Sequence, residues 1–148
     1  MTTALEQAAA AFLTARIDTG ALLTAHPFAV RAATQRADLP SDRFVILAAA
    51  RQDERSLADL LDFQLATQII AYPALATHDE TALALVERAI REAWESSGAA
   101  DAWDTAVQAA IPGWHDGGLY PGQWEPASEE NQWTPGYTLS IGIARDGV

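Results

Sequence analysis

The last apolar run of this chain constrains its fold most tightly. From Tyr137 to Arg145 large and small side chains alternate, with Tyr137, Leu139, Ile141 and Ile143 on one face and Thr138, Ser140, Gly142 and Ala144 on the other. Period two is strand geometry, and a face of small residues lets another layer approach closely, so this strand belongs inside a sheet. Two earlier runs supply partners. Residues 44–50, entered through Arg43, pass almost without a polar residue, as a strand buried on both faces would. Residues 63–72 alternate until Pro73 ends them. The connection between these two runs suits an antiparallel hairpin and is short for a parallel crossover.

Helical patterns flank the strands. Leu5, Ala8, Phe12, Leu13 and Ile17 fall close to helical period, and Thr3 with Glu6 has capping-box spacing, predicting a helix over residues 4–18 that stops at Gly20. Thr77 and Glu80 repeat that spacing ahead of a stripe of Leu83, Val86, Ile90, Ala93 and Trp94, predicting the main helix over 80–95. Its outer side carries Glu87–Arg91 and Arg88–Glu92 at i,i+4. A shorter helix is expected from Ala99 to Ala110, before Pro112. Phe28 to Ala32 suits a short strand. Residues 112–136, rich in Gly, Pro, Trp and acids, show no usable period and read as ordered loop. The expected fold is a single α+β domain over residues 1–148. Its sheet has about four strands, antiparallel or mixed, with two main helices on one face and a long Trp/Gly-rich loop.

Composition narrows the chemistry. The 148 residues carry a net charge of −11, and a surface this acidic repels phosphates rather than gathering them. All nine cations are Arg, and the absence of Lys excludes Schiff-base and P-loop lysine chemistry. The absence of Cys excludes disulfides, thiolate catalysis and Cys-based zinc sites. No apolar run reaches the roughly 18 residues of a membrane span, and the N-terminus lacks a basic, then apolar, leader pattern, so a soluble chain is expected.

Residues arranged for catalysis are few. His26, His78 and His115 have neither HExxH nor H-x₃₋₅-H spacing. His115-Asp116 is the one cluster a metal could use, and a loop acid beside a His is usually only solvated. Gly113 to Gly118 is not a phosphate-cradle motif, and no G-x-S-x-G is present. Acid pairs such as Asp53-Glu54 and Glu129-Glu130 would need a cleft placement of about 5 to 9 Å for glycoside hydrolysis. No catalytic residue, cofactor or metal is therefore expected. Among the five Trp, Trp94 belongs to a helix stripe. Trp114, Trp124 and Trp133 either pin the loop region to the domain or form a contact surface.

The order of elements resembles that of tailed-phage tail-terminator (tail-completion, head–tail joining) proteins. The resemblance rests on an N-terminal helix and a strand entered after a Pro turn, Leu39-Pro40-Ser41-Asp42-Arg43-Phe44-Val45-Ile46-Leu47. A charged connection from Arg51 to Asp62 follows, then a strand ending Ala71-Tyr72-Pro73. The main helix carries a late Trp94, and a closing strand comes just after Trp133. The match covers nearly the whole chain as layout and hydrophobic pattern; the Gly/Trp stretch at 112–132 departs from it. The resemblance implies a non-enzymatic virion protein that forms a ring, typically a hexamer, capping the tail tube. Its partners would be other copies, the tail-tube protein and a head-completion or connector protein, first in the host cytoplasm and then in the virion tail and neck. Arg51, Asp53, Glu54 and Arg55 on the hairpin connection, with Trp114, Trp124 and Trp133, are the candidate interface residues. Alternatives are another neck or connector protein, a small-molecule or carbohydrate-binding module using the Trp-rich loop, and an enzyme using His115, Asp116 and Glu125.

Overall fold

The computed structural model describes residues 1–18, 28–34, 44–53, 58–70, 80–125 and 136–147. Their elements are α1 (Thr2–Asp18), β1 (Phe28–Ala32), β2 (Phe44–Gln52), β3 (Leu60–Ile70), α2 (Glu80–Glu95), α3 (Ala99–Ala110), β4 (Trp114–Glu125) and β5 (Gly136–Arg145). The fold is α+β. Five strands form one sheet in the order β1-β2-β3-β5-β4. β2 and β3 pair antiparallel, as their short connection requires, with Ile46 opposite Ile69 and Ala50 opposite Leu65. β5 lies inside the sheet between β3 and β4, antiparallel to both.

The sheet is larger than the sequence pattern suggested, and it is mixed. β1 joins β2 in parallel, Val30 beside Ile46. The expected loop at 112–136 is corrected: residues 114–125 form a strand along β5. Two register shifts, between Asp116 and Gly118 and between Tyr120 and Gln123, hide its periodicity. Each inserts residues without partners and so interrupts the alternation that marks a strand. Among the described residues β4 pairs with β5 alone, so Pro121, which has no N–H, is tolerated there.

All three helices pack on one face. Phe63, Leu65, Ile69, Tyr137, Leu139, Ile141 and Ile143 point from β3 and β5 into the same core as Leu5, Phe12 and Leu13 of α1, Val86, Ile90 and Trp94 of α2, and Trp103 and Val107 of α3. On β2, Val45 and Leu47 are buried as fully as Ile46 and Ala48, as the unbroken apolar run implied. Both i,i+4 pairs form on α2, Arg88–Glu92 at 3.0 Å and Arg91–Glu87 at 3.8 Å. Gly98, in the left-handed region at φ 84°, makes the sharp turn from α2 into α3. No helix among the described residues is long and apolar enough to cross a membrane.

The capping box expected at Thr3 and Glu6 is not formed. The helix starts at Thr2, which puts both residues inside it. Glu6 is instead buried at 5% exposure, and its Oε2 accepts the Ala50 N–H at 3.0 Å. β1 ends opposite Ala48, so β2 runs on past its parallel neighbour, and the carboxylate serves the amide beyond that end. Thr77, of the second expected box, lies outside the described residues. Removing a buried acceptor costs about 1–3 kcal/mol. Glu6→Ala should lower the urea midpoint accordingly and speed hydrogen exchange at the Ala50 amide. Glu6→Gln, which keeps the acceptor, should lose less by both measures.

Candidate functional site

The residues singled out from the sequence divide between the two ends of the sheet. Asp53 donates its N–H to the Asp62 carbonyl at 2.7 Å, closing the β2–β3 ladder, and Arg51 is exposed just before it. Trp114 begins β4 at that same end, since Asp62 faces Gly142 on β5 and Trp114 faces Arg145 three residues further on. Trp124 sits at the other end, opposite Tyr137. Glu54, Arg55 and Trp133 lie outside the described residues.

Neither described Trp of β4 stands free. Trp114 is half-buried against the core with the Arg145 guanidinium 5.8 Å from its ring centre, and Arg145 also reaches Asp59 at 3.7 Å. Trp124 is half-buried with Arg91 at 5.9 Å. Arg over an aromatic face is a favourable contact, and here it holds both ends of the edge strand onto the domain.

His115 and Asp116 do not converge. His115 Nδ1 lies 2.7 Å from Asp146 Oδ1, whereas Asp116 turns to α3, its N–H donating to Asp104 Oδ1 at 2.8 Å and its own Oδ1 accepting the Gly118 N–H at 3.0 Å. Successive residues of a strand point to opposite faces. Among the described residues no three acids and histidines gather as a metal site would require.

A cavity of about 310 Å³ opens where the C-terminal end of α2 meets β4 and β5. It is lined by Trp94, Glu95, Leu119, Tyr120, Tyr137 and Leu139. The buried Tyr137 hydroxyl donates to Glu95 Oε1 at 3.0 Å and accepts the Gly122 N–H at 2.9 Å. The second of these bonds depends on the bulge. A Cβ at Gly122 would come within 2.1 Å of the Thr138 carbonyl oxygen, so only glycine lets β4 approach this closely. Burial first, then the nearby Glu95 carboxylate, raises the Tyr137 pKa above the ordinary phenol value, with the Gly122 N–H opposing. The hydroxyl therefore keeps its proton and remains a donor. Tyr120 stands at the rim, 57% exposed.

Sequence reasoning passed over Glu95, Tyr120 and Tyr137. One signal was available: on α2, Glu87 and Glu92 each have an Arg at i,i+4, but Arg91, which has that spacing to Glu95, is taken by Glu87. A second groove of about 330 Å³ lies between α1 and α3 over Phe12, walled by Ala11, Ala15, Ala102 and Ala106. Its polar groups are already engaged, Thr105 with the Asp101 carbonyl and Arg16 with Ser96 and Ser97.

Asp116 gives a pH signature. Its pKa is raised, chiefly by burial and secondarily by Asp104, against the Gly118 N–H and His115. A raised folded-state value means that the proton favours the folded form, so this group's contribution is best below the unfolded value and falls as pH rises through the folded one. Asp116→Asn should therefore be more stable than the parent at neutral pH, by less than about 1 kcal/mol for a half-exposed group. The gain should vanish below about pH 4, as followed by urea midpoints across the pH range.

Comparison of the sequence with known protein families and with curated proteins finds no match.

Proposed function

We propose that this chain is a structural subunit of the tail-terminator type, which closes into a ring with copies of itself, caps a phage tail tube and joins it to the head. One observation carries the reading. The helices occupy a single face of the sheet, and across β3 and β5 the other face presents small and polar residues, Gln64, Ala66, Gln68, Thr138 and Ser140, all half-exposed. A partly exposed surface of small and polar residues, beside an exposed Arg51 on the hairpin, suits the head-to-tail contact from which a ring closes. Each subunit then offers one surface to one neighbour and a different surface to the next. Net charge of −11 keeps such a subunit soluble before assembly and leaves a tube lumen that does not grip passing DNA. The cavity beside Glu95 supports a second reading, a small-molecule or carbohydrate-binding module.

Sedimentation equilibrium, alone and with a tail-tube protein, tests the ring. The expected mass is a multiple of 15.8 kDa, with annular particles by electron microscopy. A protein that stays monomeric at high concentration with a tube partner present would defeat the reading. The double change Arg51→Glu with Arg55→Glu should weaken assembly about tenfold or more by reversing charge at the contact. Monomer stability should change by no more than about 0.5 kcal/mol.

A further inference from the structure

The cavity at the end of α2 has a chemistry of its own. Of the six described residues that line it, three are aromatic and one is a carboxylate. Its hydrogen-bonding capacity is nearly used up on the donor side. The Tyr137 hydroxyl gives its one proton to Glu95 Oε1. The Glu95 carboxylate is exposed, and its Oε2 has no partner among the described residues. Among the described residues that line the cavity none is a cation.

The Glu95 charge has no cation in direct contact with it among the described residues. Glu95 is the last residue of α2, where the helix dipole is negative and a carboxylate is disfavoured. The last turn of α2 contains no basic residue. The nearest cation on the helix is Arg91, one turn earlier; it lies 3.8 Å from Glu87 and 5.9 Å from the Trp124 ring centre, close enough for its charge to act on Tyr137 but without an ion pair to Glu95. Arg16 reaches the chain just past the helix end, where it binds Ser96 and the Ser97 carbonyl. Aromatic faces attract cations through their quadrupoles, and guanidinium groups stack on them well.

We infer that this cavity is a receptor for the guanidinium group of an arginine side chain presented by another polypeptide, held by Glu95 and covered by Tyr120. A planar, five-donor cation stacks on the exposed ring while directing N–H groups at the free carboxylate oxygen. A neutral sugar could stack on Tyr120 but would leave the charge at the helix end uncompensated. This goes beyond the ring reading and does not depend on it, since the pocket would bind arginine in a monomer as well.

The test is an NMR titration of the full chain with N-acetyl-arginine amide, using the neutral isostere N-acetyl-citrulline amide as control. Arginine should shift the backbone amides of Glu95, Leu119, Tyr120 and Gly122 in a saturable way, and citrulline should bind at least tenfold more weakly. Glu95→Gln, which keeps an acceptor for Tyr137, should weaken arginine binding about tenfold, equivalent to about 1.4 kcal/mol. Tyr120→Ala, at an exposed position, should weaken it severalfold. Equal shifts with arginine and citrulline would overturn the proposal, as would unchanged arginine binding in a folded Glu95→Gln variant. Sedimentation of that variant identifies the source. Loss of self-association together with arginine binding assigns the side chain to a second copy of this chain. Unchanged self-association with lost arginine binding assigns it to a different protein.

Discussion

Phe12, Trp94 and Trp103 come from three different helices and meet over the centre of the sheet. Phe12 of α1 lies 4.4 Å from Trp94 of α2 and 5.7 Å, edge on, from Trp103 of α3, and the two indoles are 5.4 Å apart. Tilted and edge-on contacts at these distances add to the area that the rings bury. None of the described helices could hold its place by local interactions alone, because helices of 12 to 17 residues are marginal in isolation. Their orientation is set where these rings interlock. The fit has a cost, since neither buried indole N–H finds an acceptor among the described residues. Packing of three large rings outweighs that loss.

Everything at the candidate site follows from where α2 is placed. With Trp94 fixed in the core, its neighbour Glu95 emerges at the sheet surface above β5. There it meets the Tyr137 hydroxyl, whose other bond comes from the bulge of β4 at Gly122. One phenol thus ties the end of a helix to an irregular edge strand. The opposite end of β4 is secured differently, by Asp104 of α3 accepting the Asp116 N–H and by Arg145 over Trp114. Between these anchors β4 departs from regular pairing twice, and the pocket forms beside the second departure.

The two irregular strands explain what the sequence concealed. β1 is five residues long and, among the described residues, pairs with β2 alone, so its alternation is too short to fix its direction. β4 packs Trp114, Leu119 and Trp124 against the core, a spacing that matches neither period until the two bulges are known. Glu6 misled for a related reason: Thr3 and Glu6 have the spacing of a helix cap, but a glutamate one turn into a helix can also reach a neighbouring strand. Which partner it takes depends on β1 ending opposite Ala48. Glu54, Arg55 and Trp133 remain known by sequence alone.

Local pattern by itself determined the regular elements. Period two marked the β2, β3 and β5 strands, helical stripes marked α1 and α2, and the short β2–β3 connection set their antiparallel pairing. It also determined the acidity, the absence of thiol and lysine chemistry, and the burial of Trp94. These features are legible because each depends on residues within a few positions of one another. Tertiary structure alone decided the parallel entry of β1, the strand in place of a loop at 114–125, and the meeting of Glu95 with Tyr120 and Tyr137. Those juxtapositions join residues up to 42 positions apart, through a helix whose direction is set by ring packing and a strand whose register is set by bulges. No period in the chain encodes either.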